Sequence, residues 1–382
     1  MAVVHANIFS HSSKQSHLLT RFEIMPLRRL RNFWTKSLRA MRDEVEDVQD
    51  DMAHTGIAWR LVFLLILAYF LVTIAMGIYW SLTPSLFSVK ATPSVIMQQQ
   101  VGTPAPGVTT TATLIRITET LWKKPGGYIY NDISPPGIWL DDMPHWEYGV
   151  IIQVRDMNKA LREAFSRSQS QSLEDADLQK AESRFNFDHD SWLFPATESQ
   201  YHEGAEFLRA YLTRLADDNQ QDGQFFARAD NLNYWLATVE TRLGNLSQRL
   251  SASVGQQRLN TDLAGDAQAP SPSGARAELF VKTPWNELDD VLFETRGSAW
   301  ALIHLLKAVE VDFAEVLKDK NALVSMQQII RELEATQQTL WSPVVLNGSG
   351  FGVLANHSLV MASYISRANA AIIDLRRLLQ QG

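Results

Sequence analysis

The 382-residue chain contains no cysteine. Disulfides, thiolate zinc sites, iron–sulfur clusters and thiol nucleophiles are thereby excluded together. The compartment stays open, because a chain without thiols is at ease in an oxidising or a reducing space. Basic charge is also scarce: 35 Lys and Arg stand against 42 Asp and Glu, a net charge of −7. A general nucleic-acid binder carries a basic face, so no nucleic-acid partner is expected. The nine histidines are scattered, without a His-x-x-x-His or His-Glu-x-x-His pair, and no metal site is expected. There is no Gly-x-Ser-x-Gly elbow. The one double glycine, Gly126-Gly127, leads into "YIYND" and not into a helix start with Lys and Ser/Thr, so no nucleotide or other cofactor is expected. No convincing run alternates apolar and polar residues, which leaves a mainly α class. With 46% hydrophobic and 20% charged residues the chain can still bury a substantial core.

What is present in excess is one long apolar run. Residues 61–80, "LVFLLILAYFLVTIAMGIYW", carry no charge and no proline. Twenty residues at about 1.5 Å each match a hydrocarbon core of roughly 30 Å. Trp59, Tyr79 and Trp80 stand at its ends, where amphipathic rings prefer the headgroup level. Residues 57–80 are therefore expected to cross a membrane. Nine Lys and Arg precede the run, among them Arg28, Arg29, Arg31 and Arg60, whereas residues 81–118 hold only Lys90 and Arg116. The positive-inside rule then puts the N-terminus in the cytoplasm and the C-terminal part outside. The run is too long and too far from the start for a cleaved signal peptide, so a signal-anchor is expected.

Residues 1–24 read as a disordered tail, and Met25 offers an alternative start. Over 25–56, Leu27, Leu30, Trp34, Leu38, Met41, Val45, Val48 and Met52 recur at steps of three and four, an amphipathic cytoplasmic helix. It suits either an anionic inner leaflet or a short self-pairing coiled coil, hence a possible homo-oligomer. Residues 81–113, rich in Thr, Pro, Ser and Gly, read as a tether. A helical domain is expected over 114–382. Its helices fit 145–167, 198–216, 231–251, 285–317, 323–341 and 355–380, with a further short one in "SLEDADLQKAESRF" capped by Ser172, and a low-complexity surface loop spans 261–278. Trp192 and Gly204 share their spacing with Trp285 and Gly297, which hints at two related helical units.

The segment "KKPGGYIYNDISPPGIWLDDMPHWEYG" (123–149) combines turn residues, aromatics and the carboxylates Asp132, Asp141, Asp142 and Glu147. Its glycines and prolines suit tight turns. Its paired aspartates suit the start of a helix, where acids meet the positive end of the dipole and Glu147 falls near the first turn. Two facing carboxylates would suit acid–base hydrolysis, but spacing alone does not make them face each other. Trp139, Asp141, Asp142, Trp146 and Glu147 are the candidate binding residues, and no residue is assigned as catalytic. "FNFDHDSW" (185–192) holds metal-ligand types in consecutive positions and reads better as a turn capped by aspartates. The tryptophans outside the apolar run (Trp122, Trp139, Trp146, Trp192, Trp235, Trp285, Trp300 and Trp341) are expected mostly in the core.

The blocks "KPGGYIYNDISPPGIWLDDMPHWEYGVIIQVRD" and "FSRSQSQSLEDADLQKAESRFNFDHDSW" resemble a family of uncharacterised inner-membrane proteins of Gram-negative proteobacteria, classed only as a domain of unknown function. The resemblance runs from about Leu61 to the C-terminus. It implies an inner-membrane protein with a periplasmic domain and brings no catalytic residues. The expectation is a single-pass protein whose helical domain serves as a non-catalytic scaffold or binding module for an envelope protein or cell-wall partner. A hydrolase of envelope polymers and a transmembrane signalling protein are the alternatives.

Overall fold

The computed structural model describes residues 56–98, 104–169, 172–217, 222–259, 278–342, 344–350 and 352–381. The expected tail and cytoplasmic helix, and most of the 261–278 loop, lie outside them. Among the described residues the chain forms two compact units, divided within the first helix at Leu71/Val72. That helix, α1, runs Ile57–Trp80. At about 1.5 Å per residue it is about 36 Å long. It is the one helix among the described residues long and apolar enough to cross a membrane. Its side chains are exposed at every position from Leu61 to Tyr79 except Thr73 and Gly77.

The second unit is a bundle with one continuous apolar core. Its helices are α2 (Thr92–Met97), α3 (Val108–Lys123), α4 (Asp142–Ala160), α5 (Ala176–Phe185), α6 (Thr197–Leu215), α7 (Ala229–Ser251), α8 (Leu288–Asp312), α9 (Ala314–Asp319), α10 (Leu323–Ala335) and α11 (His357–Gln380). Helix α8 is central, packing on α3, α4 and α10, while α7 pairs with α11 and α5 with α6. Helices α4 and α8 touch backbone to backbone through glycine. A Cβ on Gly149 would lie 2.1 Å from the Glu294 carbonyl oxygen, and one on Gly297 would lie 2.0 Å from that of Trp146. No side chain fits between them, which fixes the two helices in register. Gly204 meets the Phe185 ring instead, and the two spaced Trp–Gly segments belong to one compact unit.

Four features differ from the sequence reading. The expected tether of 81–113 is docked and partly helical. Phe87 stacks on His304 with ring centroids 3.8 Å apart, and the Phe87 N–H donates to His304 Nε2 at 3.0 Å. Helix α3 begins at Val108, and Thr109, Thr110, Thr111 and Thr113 are buried. No side chain at its N-cap Gly107 caps it. The Asp312 carboxylate does so from the far end of α8, accepting from Thr110 N at 2.7 Å. Helix α5 is capped by Asp175, which accepts from the N–H groups of Asp177 and Leu178, and not by Ser172. A short antiparallel pair, Gln256–Leu259 with Glu278–Val281, flanks the expected loop. Of the tryptophans, Trp146, Trp235 and Trp300 are buried, whereas Trp139, Trp192, Trp285 and Trp341 are exposed.

Candidate functional site

The segment 124–149 leaves α3, turns through Gly126 and Gly127, passes a short 3-10 turn at Gly137–Trp139 and enters α4. Its shape is imposed from beneath by Glu147, which is fully buried. The Glu147 carboxylate accepts from Ile129 N at 2.9 Å and from Tyr130 N at 2.9 Å, and it pairs with the Lys124 ammonium at 2.6 Å. The Lys124 side chain is only 1% exposed and also donates to the Gly127 carbonyl oxygen at 2.6 Å. Both charges and the loop's free N–H groups are thus satisfied in one knot. Burial pushes the Glu147 carboxyl up to about 7, against the pull of Lys124 and the two backbone donors. Further ties hold the loop from the side: Tyr128 donates its hydroxyl to the His189 carbonyl oxygen, and Asn131 donates to Ser191 O and Glu198. The "FNFDHDSW" segment therefore serves as an anchor through its backbone, while the His189 ring rests against Tyr130.

The outer side of this loop meets the last turns of α1. Gly126 has φ +86°, and a Cβ there would lie 2.7 Å from the Trp80 ring. Only glycine adopts this turn and lets the indole lie over it. The Pro136 and Leu140 side chains come within 3.6 and 3.8 Å of the Cβ position of Gly77. Three large apolar side chains of the same loop are exposed: Ile133 and Ile138, each 58%, and Trp139, 52%. Leu82, just past α1, is also exposed.

The five candidate residues thus divide three ways. Trp139 belongs to the exposed apolar rim. Trp146 is a core residue packed on Trp300, and Glu147 is the buried clasp, not a capping residue of the first turn. Asp141 and Asp142 do begin α4, yet the N-cap Asp141 makes no side-chain capping hydrogen bond. They face the start of α8 instead, beside His145, Asp289 and Asp290. His145 Nε2 lies 3.2 Å from Asp290 Oδ1 and 3.9 Å from Asp141 Oδ1. Burial, followed by repulsion from Asp289, Asp141 and Asp290, pushes the Asp142 carboxyl up to about 7. Burial likewise raises Asp290 to about 6, although His145 pulls it down. Asp141, His145 and Asp290 are metal-ligand types within 4.8 Å of one another. The contact of His145 Nε2 with Asp290 already accounts for the closest approach among them. Sequence reasoning could not see this cluster, because Asp289 and Asp290 arrive from a helix more than a hundred residues further on.

The fold and this segment define a class: an α-helical domain that clasps the end of its own N-terminal apolar helix with a charge-knotted loop. Residues 52–382 match the DUF2333 family, described as an uncharacterised protein conserved in bacteria, and the chain belongs to that family. No curated protein and no solved structure matches it.

Proposed function

We propose that this is a single-pass bacterial inner-membrane protein whose helical domain rests on the periplasmic face of the bilayer as a non-catalytic binding module or scaffold of the cell envelope. One observation carries this reading: the last turns of the exposed, apolar α1 are gripped by a loop that itself exposes Ile133, Ile138 and Trp139. Gly77 lies three residues inside Trp80, about 4.5 Å deeper along the helix, and the loop reaches that depth through Pro136 and Leu140. Ile133, Ile138 and Trp139 then lie at the level of the lipid headgroups, where such side chains are favoured. The domain in this reading has no tether and sits against its membrane. The charge asymmetry about α1 supports the orientation.

Reporter fusions to the C-terminus test the topology. Activity of a periplasm-dependent reporter and silence of a cytoplasm-dependent one are expected, and the reverse pattern overturns it. Crosslinking in intact envelopes, followed by capture of the full chain, is expected to recover an envelope component that the Trp139→Ser variant recovers in the same amount, since Trp139 serves the lipid and not the partner. A second reading, hydrolysis of an envelope polymer, draws on the raised carboxyls of Asp142 and Asp290, a feature that acid catalysis needs. The sealed Glu147 has no part in it. Cleavage of peptidoglycan or glycan by the full chain, lost in Asp142→Asn with folding intact, would establish this reading over the first.

A further inference from the structure

A cavity of about 310 Å³ lies between α8, the end of α10 and the first turns of α11. Its lining is largely apolar, with Leu292, Leu340, Val360 and Met361 among the walls. Trp341 stands at its rim with 92% of its surface exposed. At about 30 Å³ per water the volume equals roughly ten water-sized groups, within the range of small-molecule sites.

The chemistry of the cavity comes from Arg296, one of its lining residues. Arg296 is only 5% exposed, and among the described residues no carboxylate lies within ion-pair distance of it. One guanidinium N–H donates to the Gln338 carbonyl oxygen at 2.9 Å. Its Nε is buried and has no hydrogen-bond partner among the described residues. A buried guanidinium with a single neutral acceptor is costly, and burial pushes its pKa down from the usual arginine value while Asp142, further off, draws it back up. The other buried Lys or Arg among the described residues, Lys124, is paired with Glu147 at 2.6 Å. Thr336, Gln338, Thr339, Ser342, His357 and Tyr364 add further polar groups to the lining. His357 accepts from Leu346 N through Nδ1 at 3.2 Å, which leaves Nε2 to carry the proton, and the Tyr364 hydroxyl has no partner among the described residues.

We infer that this cavity is a binding site for a small monocarboxylate with an apolar, aromatic or branched body, the carboxylate taken by Arg296 and the body by Leu292, Val360, Met361 and Trp341. A planar fork of N–H donors matches a carboxylate, and a single buried cation matches a single negative charge. The apolar part of the lining and the open face of Trp341 favour an anion with an apolar body over phosphate or sulfate. The inference rests on the binding-module reading and gives that module a ligand class.

The test uses the full chain in detergent solution and the soluble probe 4-phenylbutyrate, with 4-phenylbutan-1-ol as its neutral counterpart. Saturation-transfer NMR and calorimetric titration are expected to show saturable binding of the carboxylate and at least tenfold weaker binding of the alcohol. Loss of a charge-assisted hydrogen bond, about 1.5–3 kcal/mol, corresponds to a ten- to hundredfold loss in Arg296→Gln. Val360→Trp, which fills the cavity and leaves Arg296 in place, is expected to abolish binding with the unfolding midpoint preserved. It keeps the test open if Arg296→Gln does not fold. Equal affinity for acid and alcohol, or undiminished binding in Val360→Trp, overturns the inference, as does absence of any saturable binding. Because membrane orientation has no part in this measurement, a negative result here alongside correct reporter topology removes the ligand and leaves the anchored module standing.

Discussion

The clasp beneath the loop makes the sharpest mutational prediction. Glu147→Gln keeps the side chain's volume and one acceptor oxygen, but it strips the counter-charge from Lys124, whose side chain is 1% exposed. Breaking a buried ion pair from one side costs about 3–5 kcal/mol, because the remaining charge stays out of water. For a unit of this size each kcal/mol moves the melting midpoint by about 2 °C, so a fall of roughly 6–10 °C is expected. Thermal unfolding of the full chain in detergent at pH 8, followed by tryptophan fluorescence, is the assay. Limited proteolysis should show the first new cut between 125 and 140. The reverse deletion behaves differently with pH. Lys124→Met removes the group that holds the Glu147 carboxyl down, so its folded pKa rises further above the ordinary 4.5. A carboxyl raised by folding contributes stability in acid that is lost as the pH climbs through the folded value. Lys124→Met is therefore expected to lose stability more steeply than wild type as the pH climbs above 7, whereas Glu147→Gln, with no carboxyl to titrate at this position, lacks that contribution to the pH dependence. A shift below 2 °C for Glu147→Gln at pH 8 would refute the clasp.

Three further outcomes follow from the same geometry. Asp142→Asn is expected to stabilise the chain above pH 7, by about 1–2 kcal/mol once solvent screening of a partly exposed group is allowed for. The sign follows from a folded pKa of about 7 against 3.8, which makes ionisation in the folded state unfavourable, and the gain should vanish near pH 4 in denaturant titrations. His304 is buried and its pKa falls to about 3, so the folded state resists the proton that the unfolded chain accepts near 6.5. Stability should accordingly decline as the pH drops below about 6.5, with a shallower slope in His304→Gln. Gly149→Ala places a Cβ against the Glu294 carbonyl oxygen and should cost more than about 3 kcal/mol, read as loss of the cooperative melt.

Much of this architecture is written locally in the sequence. The apolar run of α1 and the three-and-four periodicity of α6, α7 and α11 predict those helices within a few residues. Helix α3 escaped because its first turns are threonines preceded by Pro and Gly, a composition typical of an extended tether. What makes them helical is burial on all sides and a cap from Asp312, 202 residues away. Glu147 escaped for a related reason. A carboxylate one turn into a helix reads as a partner of the helix dipole, and only the return of the Lys124–Tyr130 turn over α4 reveals it as an internal ligand for backbone N–H groups. Trp139 is counted by type among the tryptophans expected in the core, with partner contact on a rigid loop as the alternative, and it is exposed. The contact of this loop with the end of α1 depends on Gly77 and Gly126, whose small size has meaning only once the helix and the loop are seen together. The Asp141–His145–Asp290 cluster and the Arg296 cavity join elements distant in sequence, and no local pattern announces either.

The central proposal is that the 125–140 loop, which packs on the last turns of α1, meets the lipid headgroups through Ile133, Ile138 and Trp139. The chain has no cysteine, so single cysteines report their own positions without competition. An environment-sensitive fluorophore placed at Ile133→Cys, Ile138→Cys and Trp139→Cys, with Leu173→Cys as a remote exposed control, can be read in the full chain reconstituted into lipid vesicles. Blue-shifted emission and quenching by spin-labelled lipids are expected at the three loop positions, with water-like emission and no lipid quenching at position 173. Water-like emission and no lipid quenching at all three loop positions would contradict the account.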